Sequence, residues 1–332
     1  MKALLFIGIV SSVLSLGAQE SQVISLGPDF RVVETTEQVV NDLGETNSIA
    51  HRHTVLETGM NYWTGNEWKI SNPVFRIVPG AAVANEVQHR FTVAHNINQE
   101  GAIVMETPDG KVFRSTPLIL AFRNTLTGES VAIGQIQDSQ GEVIAANQVL
   151  YSNAMSGVLC SLRYTVKNEG IEQELLIEEP LHIEDFGFES SESAQVRLEL
   201  WTGFYASPEL QRATIIDTGE MEDLALDFGA VQIGQGKTFA VEANAPEAIV
   251  AKRFGPIEGD PRLFLVEMVT DRSLRPLMNA LEQAKVGKPA EKIKRLAKNK
   301  SKNNADLVAT YAKTKRNGKK DTAMMNRSQR AL

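Results

Sequence analysis

Two of the three tryptophans in the 332-residue chain lie close together, in residues 62–68, whose sequence is YWTGNEW. Flat aromatic rings carried near a turn can stack against the apolar faces of sugar rings. The same spacing suits a Gly-Asn hairpin in which Trp63 and Trp68 pack on each other across two strands. The packed pair is the favoured interpretation, and Tyr62, Trp63 and Trp68 are the candidate ligand-binding residues.

Side chains that could bind a metal ion occur in two places. His51 and His53 would share one face of a strand about 7 Å apart, with Glu57 the next acidic residue on that face, two steps further along. A second group is acidic, and its spacing does not match an EF-hand loop; its members are Asp217, Glu220, Glu222, Asp223 and Asp227. We interpret these as a polar strand face and a solvated acidic loop, and predict no metal site and no cofactor.

Glu172 and Glu174 would lie on one strand face about 7 Å apart, and paired carboxylates at such separations serve glycoside hydrolysis. Paired glutamates are also common on the solvated side of a hairpin. The chain contains no G-x-S-x-G, H-E-x-x-H, Walker or C-x-x-C motif. We therefore predict no catalytic residue, and a carbohydrate-active enzyme built from scattered carboxylates stays open as the alternative.

The elements that would position these residues are β-strands. Apolar side chains alternate with polar ones along residues 158–167, and again along 171–177 after the turn Asn168-Glu169-Gly170. Such alternation is typical of an antiparallel hairpin with one dry and one solvated face. Cys160 is the only cysteine of the chain and falls on the dry face, so it is predicted to be buried and structural.

Two further hairpins are predicted. One joins residues 102–106 to 111–114 through an Asp-Gly turn, and the other joins 118–122 to 131–136. Additional strands are expected near residues 31–40, 51–57, 87–94, 196–204, 214–217, 224–233 and 263–269. Short strands separated by turns favour an all-β, antiparallel β-sandwich of two sheets, which about 240 residues would make an extended one. The alternative architecture is a closed β-barrel.

The pattern changes near residue 271. Asp271 is a candidate helix N-cap, and Leu274, Leu277, Met278 and Leu281 follow at helical spacing. We therefore expect one or more β-sandwich domains in residues 19–270 and a C-terminal helix in residues 271–286. Residues 287–332 are expected to form a basic tail that is partly helical or disordered.

The first 18 residues are predicted to be a signal peptide. Lys2 precedes an apolar run that begins at Ala3, and the small pair Gly17-Ala18 precedes the polar residues Gln19 and Glu20. The run is too short for a comfortable membrane span, which needs about 20 apolar residues. We therefore expect cleavage near Ala18, a secreted or periplasmic protein, and no integral membrane span after cleavage.

The net charge of −7 conceals two opposite parts. Residues 285–332 contain 15 basic and three acidic residues, a balance of +12, which leaves 19 basic and 38 acidic residues, or −19, in residues 1–284. A basic tail can hold a protein on an anionic polysaccharide, an envelope component or a protein partner, and the alternative is a solvated tail that folds loosely onto the acidic part of its own chain. Tyr311 is the only aromatic residue in this tail, so base stacking is not expected and nucleic acid is not a predicted partner.

Several segments together resemble a known family. They are residues 58–63 (TGMNYW), 88–89 (QH), 107–111 (TPDGK), 147–151 (NQVLY) and 170–174 (GIEQE). As a set they resemble an uncharacterised β-rich domain near the N-terminus of large secreted bacterial proteins, some of which continue into Rhs-type repeats. The resemblance spans roughly residues 50–270 and brings no catalytic residue with it. It implies an exported domain whose role is to present or scaffold another component.

The sequence thus predicts an exported, non-catalytic binding or scaffold domain with a basic tail for anionic surfaces or partners. The alternative is a carbohydrate-active enzyme, or a sugar-binding module, on a β-sandwich. A third hypothesis is that the chain is one piece of a larger envelope assembly whose partners are encoded elsewhere.

Overall fold

The computed structural model describes residues 20–240, 247–285 and 300–301. The predicted signal peptide (residues 1–18) lies outside the described residues, as does the predicted tail (residues 287–332) apart from residues 300 and 301. The chain divides into two compact units, Met1–Ile70 and Ser71–Leu332. We call them unit 1 and unit 2. The sequence patterns gave no sign of this boundary.

Unit 1 contains a three-stranded antiparallel sheet followed by a short hairpin. The sheet consists of β1 (Glu20–Gly27), β2 (Phe30–Val40) and β3 (Thr46–Leu56), and the hairpin of β4 (Asn61–Trp63) and β5 (Trp68–Ile70). Strands β2 and β3 are paired over their whole length. The side chain of Asn41 shapes their turn, because its Oδ1 accepts hydrogen bonds from the backbone N–H groups of Leu43 and Glu45.

The described residues of unit 2 form the remaining strands and one α-helix. The strands are β6 (Arg76–Val78), β7 (Ala81–Ala84), β8 (Arg90–Ala94), β9 (Ile103–Glu106), β10 (Val112–Asn124), β11 (Ser130–Ile136), β12 (Gly141–Ala145), β13 (Gln148–Tyr151), β14 (Met155–Ser156), β15 (Cys160–Val166), β16 (Ile171–Ile177), β17 (Val196–Ala206), β18 (Arg212–Asp217), β19 (Glu222–Asp227), β20 (Gln232–Ile233), β21 (Gly236–Thr238), β22 (Ala248–Ile257), β23 (Asp260–Thr270) and β24 (Lys300–Ser301). Two 3-10 turns, Ile183–Phe186 and Ser190–Glu192, precede β17. The helix is α1 (Asp271–Ala284).

The largest sheet among the described residues runs in the order β21-β22-β23-β17-β10-β9-β8-β7-β6, with β11 also paired to β10. Strand β10 lies at its centre and pairs with β9, β11 and β17. The five residues 118–122 of β10 are all fully buried, so both faces of this strand are covered. A run of apolar residues without alternation fits this position.

A second layer is the four-stranded sheet β12-β13-β15-β16. Its side chains Leu162 and Tyr164 belong to the same buried apolar cluster as Phe91 and Trp201 of the large sheet. The smaller sheet β18-β19-β20 contributes to another cluster through residues such as Leu226, which is buried together with Phe204. Unit 2 therefore confirms the predicted all-β, antiparallel architecture of packed sheets.

The three predicted hairpins are present, with Val166 opposite Ile171, Val112 opposite Glu106 and Ile119 opposite Gln135. Residues 224–233, expected as one strand, instead form the two strands β19 and β20, because the chain turns at residues 228–231. Strand β22 was not predicted, although it pairs with β23 along most of its length.

The expected solvated face of the β15–β16 hairpin is only partly solvated. Ser161 and Thr165 lie on this face and are buried, contrary to the prediction. Arg163 lies between them and forms an ion pair with Glu174 on the neighbouring strand. We attribute the burial to these long paired side chains, whose aliphatic parts shield the shorter ones beside them.

Helix α1 confirms the predicted C-terminal helix and ends at residue 284, two residues before the expected end. Its N-cap is Thr270 and not Asp271, because the Thr270 side chain accepts the hydrogen bond from the Ser273 backbone N–H at 3.3 Å. Leu274, Leu277 and Met278 are buried as expected. No helix in the described part of the chain is both long and apolar enough to cross a membrane.

Candidate functional site

The tip of the β4–β5 hairpin carries an aromatic pair. Trp63 and Trp68 lie directly opposite each other, with ring centroids 5.3 Å apart and ring planes tilted by 58°. The turn between them is held by Thr64, whose N–H and side-chain hydroxyl both donate to the Glu67 carbonyl oxygen, each at 3.0 Å. The favoured interpretation, a packed cross-strand pair, is therefore what the structure contains.

This packed pair is still open to solvent. The side chain of Trp63 is 47% exposed, and Trp68 is partly buried. An indole ring that is fixed by a neighbouring ring and belongs to a residue nearly half exposed presents a rigid apolar surface at the end of a hairpin. We refer to Trp63 and Trp68 together as the tryptophan pair.

Tyr62 does not join the tryptophan pair. It lies opposite Lys69 in the hairpin and is partly buried. Because successive side chains on a strand point to opposite faces, Tyr62 faces away from Trp63. Of the three candidate ligand-binding residues, the structure brings two together on one face and places the third on the other.

The base of the hairpin is anchored by Asn61, which is fully buried. Its Nδ2 donates to the backbone carbonyl oxygens of Gly27, at 2.6 Å, and Phe30, at 3.0 Å. A buried amide that satisfies backbone carbonyls in a neighbouring turn is costly to remove. These contacts fix where the hairpin leaves the three-stranded sheet of unit 1.

The carboxylates that could have formed a glycosidase pair are engaged in ion pairs. Glu174 contacts Arg163 at 2.6 Å, and Glu172 contacts Lys167 at 2.5 Å. The hydrogen bonds from Arg163 lower the pKa of Glu174, which outweighs the opposing effect of its partial burial. Glu174 is therefore held as a carboxylate and is unsuited to donating a proton.

His51 and His53 lie on β3, and both are exposed. Nε2 of His51 is 3.7 Å from a carboxylate oxygen of Glu37 on the paired strand. Among the residues that the structure describes, no group of three or more His, Cys, Asp or Glu side chains is arranged to hold a metal ion.

The acidic stretch at residues 217–227 is not a uniformly solvated loop, which corrects that interpretation. Asp223 is fully buried in β19 and forms an ion pair with Lys252 of β22 at 2.8 Å, where Lys252 is 3% exposed. Glu220 accepts hydrogen bonds from the side chains of Thr270 and Ser273 at the start of α1. Two of the five acidic residues thus hold together elements that are distant in sequence.

The structure also reveals a charged cluster on the large sheet that the sequence analysis missed. Glu199 of β17 is fully buried; its Oε1 accepts a hydrogen bond from Arg253 and its Oε2 one from the Trp201 indole N–H, both at 3.0 Å. The Arg253 guanidinium also lies over the Trp201 ring, 6.0 Å from its centroid. Burial raises the pKa of Glu199, against the attraction of the nearby arginines.

The sequence signal for this cluster was present but ambiguous. Arg197, Glu199 and Trp201 are two residues apart, so they share one face of β17. Charges at this spacing usually mark a solvated face. Only the tertiary structure shows that this part of the face is covered, since Glu199 and Trp201 are both fully buried.

A shallow groove of about 260 Å³ lies beside Arg253. Its lining is mainly apolar and includes Phe254, Pro256, Ile257 and Phe264. This volume is below the range of about 300–1,000 Å³ that is common for pockets holding drug-sized ligands. The groove therefore suits a small group more than a large substrate.

Cys160 is fully buried in β15, as predicted. Burial, together with the nearby carboxylates of Glu178 and Glu179, raises the pKa of its thiol to about 12. The thiolate is the nucleophilic form of cysteine, so this side chain is a packing residue and not a reactive one.

The described residues form mostly antiparallel β-sheets, and one α-helix follows β23. No family model, curated protein or solved structure matches the chain. The resemblance to an exported β-rich domain therefore stays a prediction.

Proposed function

We propose that this protein is an exported, non-catalytic binding module, and that the tryptophan pair is its carbohydrate-contacting surface. The observation that carries the proposal is the pair itself, in which Trp63 packs against Trp68 across the hairpin and is still 47% exposed. Indole rings offer large, rigid contact area that loses little conformational freedom on binding. The C–H faces of sugar rings are the chemistry that such a surface recognises.

Binding is favoured over hydrolysis by the state of the candidate carboxylates. Glu174 is locked in an ion pair with Arg163, and its pKa is lowered. A general acid for glycoside hydrolysis needs the opposite shift, a pKa raised towards neutrality. The ion pairs of Glu172 and Glu174 thus support a structural role for both carboxylates.

Two parts of the proposal rest on the sequence. The apolar run near the N-terminus supports export, and the charge of +12 on residues 285–332 supports attachment to an anionic surface or polysaccharide. In this proposal, the tail holds the protein at a surface by charge, while the tryptophan pair supplies the contact with neutral sugar rings.

The test is binding of the full chain and of Trp63→Ala to a glycan array, followed by titration with the strongest neutral glycan. Loss of the exposed ring is expected to weaken binding about tenfold or more, since contacts of this kind are typical hot spots. Trp63→Phe retains an aromatic ring and is expected to keep much of the affinity. Phe239→Ala, which removes another exposed aromatic residue, is the matched control.

Salt separates the two contributions. Binding through the tryptophan pair is expected to persist at high ionic strength, whereas binding through the basic tail is expected to be lost. Equal affinities of Trp63→Ala and the unmodified chain for every bound neutral glycan would contradict the role given to the pair. Turnover of a glycan by the full chain would contradict the non-catalytic part.

A further inference from the structure

The large sheet of unit 2 places two arginines side by side. Arg123 of β10 and Arg197 of β17 are directly opposite each other in the antiparallel pairing of these strands. Directly opposite residues have Cβ atoms about 4.5–5.5 Å apart, and like charges carried by such a pair of residues are destabilising. Both side chains are partly buried, so water screens their repulsion only in part.

The nearby carboxylate is engaged elsewhere. Both oxygens of Glu199 accept hydrogen bonds from other residues, Oε1 from Arg253 and Oε2 from Trp201. Among the described residues, no carboxylate oxygen lies within ion-pairing distance of Arg123 or Arg197. The four charged groups comprise three guanidinium groups and one carboxylate, so the cluster carries two uncompensated positive charges.

Specific guanidinium nitrogens are left without partners. Nη1 of Arg123 and Nε of Arg197 are buried, and the described residues supply no hydrogen-bond acceptor for either. Arg197 donates through Nη1 only to the Met268 sulfur, at 3.3 Å, which is a weak acceptor. Buried N–H groups of this kind call for an explanation, because most are satisfied in folded proteins.

We propose that Arg123 and Arg197 form a binding site for a sulfate or phosphate group, independent of the tryptophan pair. Two guanidinium groups that approach from neighbouring strands need an acceptor with oxygens pointing in more than one direction. The two oxygens of a carboxylate lie in one plane and form a bidentate pair with one guanidinium, whereas the oxygens of a tetrahedral oxyanion point in several directions and can form such pairs with two.

The electrostatics of the site agree with this assignment. Burial lowers the pKa values of both arginines, and the attraction of Glu199 does not cancel that effect. A bound anion would stabilise both charged forms. The site is also next to Arg253, which is 42% exposed and borders the groove described above.

The test is thermal unfolding of the full chain in phosphate, sulfate and chloride at equal ionic strength. Phosphate and sulfate are expected to raise the unfolding midpoint more than chloride does, since an anion bound only by the folded state stabilises it. Arg123→Gln and Arg197→Gln are expected to lose this specific increase. Each is also expected to unfold at a higher temperature than the unmodified chain in chloride, because the repulsion has been removed.

Arg212→Gln is the matched control, because Arg212 is 72% exposed and pairs with Asp227 at the surface. It removes one positive charge and leaves the site intact, so its response to phosphate is expected to equal that of the unmodified chain. The general salting effect of sulfate and any binding by the basic tail are common to all these chains. If phosphate and sulfate change the unfolding midpoint equally in the unmodified chain and in all three variants, the proposal is overturned.

Two further measurements complete the design. If Arg123→Gln does not fold, Arg123→Lys keeps the charge but not the planar fork, and an anion affinity about tenfold lower is expected from losing one charge-assisted hydrogen bond. An unchanged affinity would overturn the proposal.

A sulfated monosaccharide distinguishes the source of the anion. Tighter binding of this compound than of inorganic sulfate assigns the site to a sulfate ester, and equal binding assigns it to the free ion.

Discussion

At the scale of single residues, the charges of unit 2 are distributed over sites with very different surroundings. Asp223 and Lys252 are buried together and satisfy each other. Glu267 of β23 lies directly opposite Lys252 and accepts a hydrogen bond from Gln173 at 3.3 Å. Desolvation raises the pKa of Glu267 to about 7, although the positive charge of Lys252 acts in the opposite direction.

This raised pKa predicts a pH-dependent stability. In the unfolded chain Glu267 loses its proton near its ordinary pKa of 4.5, whereas in the folded protein it does so near pH 7. Between these values the folded state binds the extra proton, so the free energy of unfolding falls as the pH rises from about 5 to 7. Glu267→Gln is expected to remove this loss and to be more stable by about 1–3 kcal/mol at pH 8.

Urea unfolding at pH 5 and pH 8 measures the effect. Glu258→Gln changes an exposed glutamate in the turn before the same strand and serves as the control, which is expected to keep the pH dependence of the unmodified chain. A pH dependence that survives in Glu267→Gln would show that another group is responsible.

At the scale of elements, helix α1 depends on contacts that its own sequence does not contain. Thr270 caps the helix, and its hydroxyl donates to Glu220 at 3.0 Å. Arg275 donates to Asp271 within the helix at 2.7 Å and to Glu184 of a 3-10 turn at 2.9 Å. Burial of Glu184 acts to raise its pKa, but hydrogen bonds from Ser190 and Arg275 lower the pKa to about 2.

Thr270→Ala is expected to lower the free energy of unfolding by about 1 kcal/mol, because the Ser273 N–H loses its acceptor. Thr270→Ser keeps the capping oxygen and is expected to retain most of the stability. Equilibrium unfolding in urea compares the two. Equal destabilisation by both variants would mean that the methyl group, and not the cap, is what matters at this position.

The alternation of side chains predicted the β15–β16 hairpin and the burial of Cys160, because both follow from neighbours along the chain. The helix was predicted for the same reason, from the spacing of Leu274, Leu277 and Met278. The Asp223–Lys252 ion pair could not be predicted, since its partners are 29 residues apart and meet only after β19 has packed near β22. The surroundings of Glu199 were missed for a similar reason.

At the scale of the whole molecule, the two units differ in how much they bury. The described residues 20–70 of unit 1 contain four buried residues, Gly27, Gly59, Met60 and Asn61. Unit 2 contains extended apolar clusters that include Phe91, Trp201 and Phe264 among their fully buried members. Since the hydrophobic effect scales with apolar area removed from water, the described part of unit 1 has much the weaker intrinsic stabilisation.

Amide hydrogen exchange is therefore expected to be faster in β2 and β3 than in β10 and β17 by about tenfold or more, even though all four strands are hydrogen-bonded. Mass spectrometry of peptic fragments measures this difference, with rates corrected by the exchange of the urea-unfolded chain. Equal protection of these strands would show that unit 1 opens only when unit 2 unfolds.

The sequence by itself determined the antiparallel β class, the three hairpins, the C-terminal helix and the cross-strand packing of Trp63 and Trp68. Each of these depends on alternation, spacing or turn residues within one short segment. The tertiary structure alone decided that the chain has two units, that β10 is buried on both faces, and that Arg123 and Arg197 face each other beside a carboxylate already in use. The physical reason is that burial and charge balance depend on which strands become neighbours, and that pairing joins residues far apart in the chain.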